Sequence, residues 1–274
     1  MPLGHLYIVA TPIGNLEDIT LRALRVLKEA DIIAAEDTRH SSKLLNHYGI
    51  RKPLISYWSE KEKIRTDDII QKLHAGMSVA LISDAGTPGI SDPGSVLIKR
   101  AIEEGVNIVP IPGPSAFVTA LSASGASIEE FTFIGFLPQK TAQRQKKLHG
   151  LALEMRTLIF YEAPHRILDT LSDMKDILGT ERQAVLAKEI TKMHEEILRG
   201  TIPEILDSLE KRTIAGEYVI IVEGMKKEDV SIEIALEEIK ALMKKGKGRK
   251  ESVKIVAEAY GLSKKELYDK SLES

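Results

Sequence analysis

Val79-Ala-Leu-Ile82, followed by Ser83-Asp-Ala-Gly-Thr-Pro-Gly-Ile-Ser-Asp-Pro-Gly94 and an amphipathic run over 95–104, decides how this chain is read. Four apolar residues without alternation suit a strand buried on both faces. The next twelve residues hold three glycines and two prolines, so neither strand nor helix can continue through them. Gly86, Gly89 and Gly94 permit positive φ and close backbone approach to a ligand, while Pro88 and Pro93 fix the path. The loop lacks the lysine of a P-loop and the G-x-G-x-x-G spacing of a dinucleotide fold, which disfavours a polyphosphate ligand.

The same strand–loop–helix rhythm extends to both sides. Leu6-Tyr-Ile-Val-Ala10 reads as a buried strand, Thr11-Pro-Ile-Gly-Asn15 breaks it, and a helix over 20–30 follows with Thr20 as N-cap. Ile32-Ile-Ala-Ala35, Leu54-Ile-Ser-Tyr57 and Val106-Asn-Ile-Val-Pro-Ile111 supply further strands, with helices expected over 41–48 and 66–75. This alternation predicts a parallel sheet covered on both faces, with ligands at the carboxyl ends of its strands. Beyond Pro112-Gly-Pro-Ser115 a second unit begins. Its strands at 131–136, 156–161, 183–187, 195–199 and 217–223 mix hairpin-like and helical spacings, which predicts a mixed sheet. Residues 231–274 read as Lys- and Glu-rich helices around Gly261-Leu-Ser263, the outline of a helix-turn-helix or of a packing and dimerisation appendage. The fold class is therefore α/β: a parallel-sheet N-terminal domain over 1–111, a mixed-sheet second domain over 112–226 and a small helical tail over 227–274.

The absence of cysteine excludes disulfides, thiolate zinc sites and cysteine nucleophiles, and agrees with a reducing compartment. No apolar run reaches bilayer length and no signal-peptide pattern opens the chain, so a cytoplasmic location and no membrane partner are expected. The net charge of −2 does not announce a nucleic-acid binder. Two local clusters do carry cation density: Lys140, Arg144, Lys146 and Lys147, then Lys244, Lys245, Lys247, Arg249 and Lys250. Each suits phosphate neutralisation or a solvated helix face. Tyr57 and Trp58 suit base stacking or a partly buried pair. His194 with Glu195 and Glu196 lacks a second histidine at ligand spacing, and no metal is expected.

The ordered set of motifs resembles the tetrapyrrole methylase superfamily. The opening residues 6–24 are similar to that superfamily's first strand, loop and helix. Ala35-Glu-Asp-Thr-Arg39, the 83–94 loop, Pro112-Gly-Pro-Ser-Ala116, Tyr161-Glu-Ala-Pro-His-Arg166 and Lys188-Glu-Ile-Thr-Lys192 resemble the small-subunit (16S) ribosomal RNA cytidine 2′-O-methyltransferases. The likeness covers residues 4–225, and the tail also resembles that family's. It implies two α/β domains of the tetrapyrrole methylase type and S-adenosylmethionine held between them. Pro12, Asp84, Ala85, Gly86, Thr87, Ile90, Ser115, Ala116 and Glu162 would hold the donor, most through backbone atoms. It also implies a ribosomal RNA or small-subunit partner and a homodimer. The first loop departs from the superfamily's glycine-rich, Asp-ending pattern, which argues against a tetrapyrrole substrate; a small-molecule methylase and a non-catalytic RNA-binding scaffold are the alternatives.

Methyl transfer to a ribose hydroxyl needs alignment, exclusion of water and help for a weak nucleophile. Glu36, Asp37, Arg39, His165, Arg166, Lys188 and Glu189 stand at predicted strand ends. Glu36, Glu189 or His165 is the candidate base; Arg39, Arg166 and Lys188 would bind phosphate or orient the sugar. Each acid could equally be a helix cap or half of a salt bridge.

Overall fold

A computed structural model describes residues 2–58, 62–226 and 231–273. Within them the first sheet holds β1 (His5–Val9), β2 (Ile32–Ala35), β3 (Leu54–Ser56), β4 (Val79–Ile82) and β5 (Asn107–Ile111), all parallel, in the order β3-β2-β4-β1-β5. Both faces are covered, as unbroken apolar strands require. On one side Leu6, Ile8, Ala34 and Leu81 pack against α3 (Glu62–His74) and α4 (Ser95–Glu103). On the other, Val9, Ile33, Ala35 and Ile82 pack against α1 (Leu21–Glu29) and α2 (Thr38–His47). Thr20 caps α1, accepting a hydrogen bond from the Ala23 amide at 3.1 Å. The helix α2 starts three residues before the expected position 41, because Asp37 rather than a later residue caps it, accepting from the Arg39 amide at 2.8 Å.

The second sheet contains β6 (Phe131–Phe136), β7 (Thr157–Glu162), β8 (Gln183–Lys188), β9 (Glu196–Thr201) and β10 (Tyr218–Val222) in the order β6-β7-β10-β8-β9. The β6–β7 pair is parallel and the other neighbours are antiparallel, so this sheet is mixed. Its side chains alternate with the period-2 pleat. Leu158, Phe160, Leu186 and Ile220 face α6 (Thr141–His149), α7 (Ile167–Leu178) and α8 (Ile202–Glu210). Ile159, Val185, Ala187, Val219 and Ile221 face α5 (Ala116–Ser124) together with Ile13 from the loop after β1. Thr201 and Glu204 form a capping box that starts α8 where β9 ends.

The tail folds as α9 (Ile232–Lys244), α10 (Arg249–Tyr260) and α11 (Lys264–Glu273) around Ile239, Val256, Ala257 and Leu267. Met155 and Met225 pack against this cluster and so join it to the second sheet's loops. Gly261 adopts φ +68°, a left-handed cap that turns α10 into α11.

Packing overturns the expectation for Arg144 and decides between the two for Tyr57 in favour of burial. Arg144 does not belong to a solvent-facing basic cluster: its side chain is buried and its Nε lies 2.5 Å from Asp173 Oδ2. The helix turns this residue inward, so only Lys140, Lys146 and Lys147 of that cluster remain exposed. Tyr57 is no stacking platform either. It is 1% exposed and its hydroxyl lies 3.1 Å from both Glu62 Oε1 and Thr66 Oγ1, because the strand end directs the ring into the core under α3.

Candidate active site

Three loops leave the carboxyl ends of β1, β4 and β5, and short hydrogen bonds lace them together. Thr11 and Gly86 exchange backbone hydrogen bonds of 2.9 and 3.0 Å. The Thr11 hydroxyl donates to the Ser83 carbonyl at 3.1 Å, and the Thr87 hydroxyl donates to the Pro114 carbonyl at 3.3 Å. Gly86 takes φ +79°, and a Cβ there would sit 3.4 Å from Ile13 Cγ2. The far end of the loop is held by Glu62, whose Oε1 accepts from the Gly94 amide at 3.0 Å while also receiving the Tyr57 hydroxyl. Glycine is required at 94 because φ is +145° and an added Cβ would lie 3.1 Å from Leu81.

These loops roof a cavity of about 380 Å³ against the second sheet. Its walls come from the 83–94 loop (Ala85, Gly86, Thr87, Ile90, Ser91, Asp92), the start of α5 (Ser115, Ala116) and the β7 end (Tyr161 to Pro164). Its floor is apolar: Ile13, Ala187, Ile190 and Val219. The size suits a small organic ligand, and an apolar floor with backbone amides and carbonyls at the rim suits one that is part ring, part polar. Of the nine residues expected to hold the donor, Ala85, Gly86, Thr87, Ile90, Ser115, Ala116 and Glu162 line this cavity. Pro12 and Asp84 are not among its lining residues. The Asp84 carboxylate accepts the Asp37 amide at 3.0 Å, so it ties the β4 end to the β2 end. The Glu162 side chain is also committed: it accepts from the Ala163 amide at 2.8 Å and the Thr170 hydroxyl at 2.7 Å.

The six expected catalytic residues are not among those lining the cavity. Glu36 is adjacent to it in an electrostatic sense. Burial raises its pKa, and the nearby Asp92 and Asp84 carboxylates raise it further. Asp92, which does line the cavity, is likewise raised, first by burial and then by Asp84, against a hydrogen bond from Ser83. Arg39 lies in solvent beside Asp37, with its Nη2 3.5 Å from Oδ2. His165 is exposed on the short 3-10 turn that follows the Ala163–Pro164 wall. Arg166 reaches inward to the Leu137 carbonyl at 2.8 Å and lies 3.3 Å from Glu162, which clamps the β7 end. Lys188 neighbours the floor residue Ala187, and strand alternation sends it to the opposite face. Glu189 holds a turn together: it accepts from Lys192 Nζ at 2.8 Å and the Glu217 amide at 2.9 Å. Burial would raise its pKa, but Lys192, the Glu217 amide and Lys188 outweigh that and hold it low. Its φ of +51° and the +67° of Thr191 store strain in the turn that brings Ile190 onto the cavity floor.

Sequence reasoning missed Asp92, Tyr161 and Phe136, which line the cavity. Asp92 stands inside the loop that the glycines marked, so its carboxylate was the available signal. Tyr161 ends β7, where the pleat alone sets its direction; there it accepts the Phe117 amide at 3.2 Å and packs edge-on to Phe133 and Phe136.

The family model of the Tetrapyrrole (Corrin/Porphyrin) Methylases matches residues 5–206. The chain is 50% identical over 269 residues to the Ribosomal RNA small subunit methyltransferase I of Haemophilus influenzae, covering 97% of this chain and 95% of that one. It is 46% identical over 274 residues to the protein of the same name from Synechocystis, covering 99% and 98%. Among solved structures, a uroporphyrin-III C-methyltransferase from Thermus thermophilus complexed with S-adenyl homocysteine superposes with a TM-score of 0.58 at 17% identity, over 80% of this chain and 97% of that one. That likeness shows a shared fold. The loops that meet over the cavity are thus set on a known scaffold, and the chain belongs to the tetrapyrrole methylase family, within the group of the ribosomal RNA small subunit methyltransferases I.

Proposed function

We propose that this chain transfers a methyl group from S-adenosylmethionine to a ribose 2′-hydroxyl of a cytidine in small-subunit ribosomal RNA. The observation that carries the reading is the cavity: apolar below, backbone-lined above and rimmed by Asp92 beside Glu36. S-adenosylmethionine supplies an electrophilic methyl on a sulfonium. Ala187, Ile190 and Val219 would exclude water from that carbon, which favours a displacement that cancels charge. Ser115, Ala116 and the 85–87 backbone would fix the donor, and the same rim would align the incoming oxygen. As the C–O bond forms and the C–S bond breaks, the hydroxyl proton passes to a carboxylate. Asp92 is the acceptor the geometry favours because it faces the cavity. Glu36 stands behind it as a second acceptor. Burial raises the pKa of both carboxylates, with Asp84 repelling each and Asp92 repelling Glu36, which strengthens both as bases. Arg39 and His165, both exposed, would meet RNA phosphate.

The relatives' shared name supports the RNA substrate, and such a substrate supports a cytoplasmic location. No helix among the described residues is long and apolar enough to cross a membrane. We further propose that the units 1–111, 112–226 and 227–274 divide the work into loops, floor and appendage, and that two copies associate. Edge strand β6 leaves Phe131 and Phe136 exposed, and α5 leaves Val118 exposed, apolar surface suited to a second copy. The deciding test incubates labelled donor with naked small-subunit rRNA, assembled subunits or a precorrin, then maps the modified ribose. Label on a ribose oxygen is expected. Label on a tetrapyrrole carbon, or donor binding without transfer to any RNA form, overturns the reading.

A further inference from the structure

The helical tail carries a second cavity, far in sequence from the first. It is a groove of about 340 Å³ between α10 and α11, lined by Lys250, Val253, Lys254, Lys264, Lys265, Tyr268 and Asp269. Four lysines and one aspartate thus stand around a groove whose lining surface is largely apolar. Lys250 and Lys254 lie one helical turn apart on α10, and Lys264 and Tyr268 lie one turn apart on α11. Elsewhere in the tail Lys247 pairs with Glu251 at 3.0 Å and Lys270 with Glu266 at 3.5 Å, while Lys240, Lys244 and Lys245 stand in solvent on or beside α9 without a salt bridge among the described residues. In the groove Lys264 pairs with Glu258 at 2.6 Å, whereas Lys250, Lys254 and Lys265 form no salt bridge among the described residues. Like charges gathered on one surface repel each other, and Glu258, which feels Lys254 as well as Lys264, offsets this repulsion only in part. An anionic occupant would relieve it.

We infer that this groove is an anchor for the phosphate backbone of the RNA substrate, separate from the methyl-transfer cavity. The inference rests on the RNA reading given above. The three unpaired lysines would neutralise successive phosphates. Tyr268, half-buried against the tail core and lining the groove, would offer its accessible edge to an unpaired base. A duplex RNA major groove is too deep and narrow to admit α11 in the manner of a DNA reader, so backbone and single-strand contacts are the chemistry that fits. An acidic protein segment would satisfy the charge but would not use an aromatic edge between two cationic rows.

The test uses the full chain, with Lys250→Ala, Lys254→Ala and Lys265→Ala combined, and Tyr268→Ala separately. Binding to a labelled small-subunit rRNA fragment and to assembled subunits is followed by anisotropy across a salt series, and donor binding by calorimetry. All three lysines are exposed, so the fold should survive, and the triple Lys→Arg variant supplies the charge-retaining control. The triple alanine chain is expected to bind the fragment at least about tenfold more weakly. Its log K against log salt should be shallower by about 2, since each neutralised phosphate contributes roughly 0.7. Donor affinity should stay unchanged, and the arginine chain should restore both quantities. Unchanged affinity and slope in the alanine chain, while wild type binds and methylates RNA, would overturn the anchor and leave the functional reading standing. Weakened binding to assembled subunits with intact binding to the naked fragment would assign the groove to a protein and overturn it too. A wild-type chain that takes up donor yet binds no RNA would end both.

Discussion

Replacing Arg144 by alanine asks whether the basic helix α6 serves RNA or the core. The wild-type guanidinium is 5% exposed at its side chain, and Asp173 opposite is 11% exposed. Asp173 Oδ2 takes Arg144 Nε at 2.5 Å and Oδ1 takes Gln145 Nε2 at 2.8 Å. Removing Arg144 therefore leaves a buried carboxylate with one neutral donor. Breaking a buried pair from one side costs about 3–5 kcal/mol. Gln145 remains and Asp173 keeps slight solvent access, which places the cost near the lower end, about 3 kcal/mol. For a chain of this size that lowers the melting temperature by roughly 6–12 °C. The double variant Arg144→Met, Asp173→Leu removes both charges and should recover most of the loss, because buried pairs seldom outperform apolar replacements of like volume. Urea and thermal unfolding followed by circular dichroism measure all three chains, and RNA binding is measured beside them. A loss below about 1 kcal/mol in the single variant, or a double variant as unstable as the single, would refute the reasoning. A single variant of wild-type stability with weakened RNA binding would return Arg144 to the phosphate-binding set.

The cavity offers three more tests. Asp92→Asn should lower turnover by about 10²–10⁴-fold with donor affinity retained, read by single-turnover methylation and calorimetry; unchanged turnover would exclude it as the proton acceptor. Asp84→Asn removes a charge that raises the pKa of both Glu36 and Asp92, so the acidic limb of the rate profile should move to lower pH, and a limb that moves up would contradict the electrostatic reading. Gly86→Ala forces a side chain onto φ +79° against Ile13; it should cost more than about 1 kcal/mol and weaken donor binding, as thermal melts with and without donor would show. Glu189 has a depressed folded pKa, so its contribution to stability is full above the ordinary glutamate value of 4.5 and is lost as pH falls through the folded value. Glu189→Gln should therefore be destabilised at neutral pH and converge with wild type in acid; a gap that widens on acidification would oppose the assigned role.

Much of the architecture was legible because its signals are local. Unbroken runs such as 79–82 and 32–35 can be satisfied only inside a covered parallel sheet, and the 183–187 and 217–223 runs pair across the mixed one. The glycines at 86, 89 and 94 announced left-handed backbone, and all three adopt positive φ. The site was legible in part. Loop residues such as Thr87 and Ser115 fell on the cavity because a broken strand end has nowhere else to go. Arg166 and Glu189 were readable as charged residues at strand ends, yet sequence spacing does not say whether such a charge points to a ligand or closes onto a carbonyl, as Arg166 does with Leu137.

From residues alone came the two-sheet class, the loop that bends around a small ligand and the kinship of its motifs. Hydrophobic period and glycine placement act over a few neighbours, so the chain states them directly. Tertiary structure decided which charges are spent. It buried Arg144 on Asp173, put Asp92 rather than Glu36 on the cavity wall, and gathered Lys250, Lys254, Lys264 and Lys265 from two helices into one groove. Electrostatic energy depends on distance and burial between residues remote in sequence, and only the packed fold sets those.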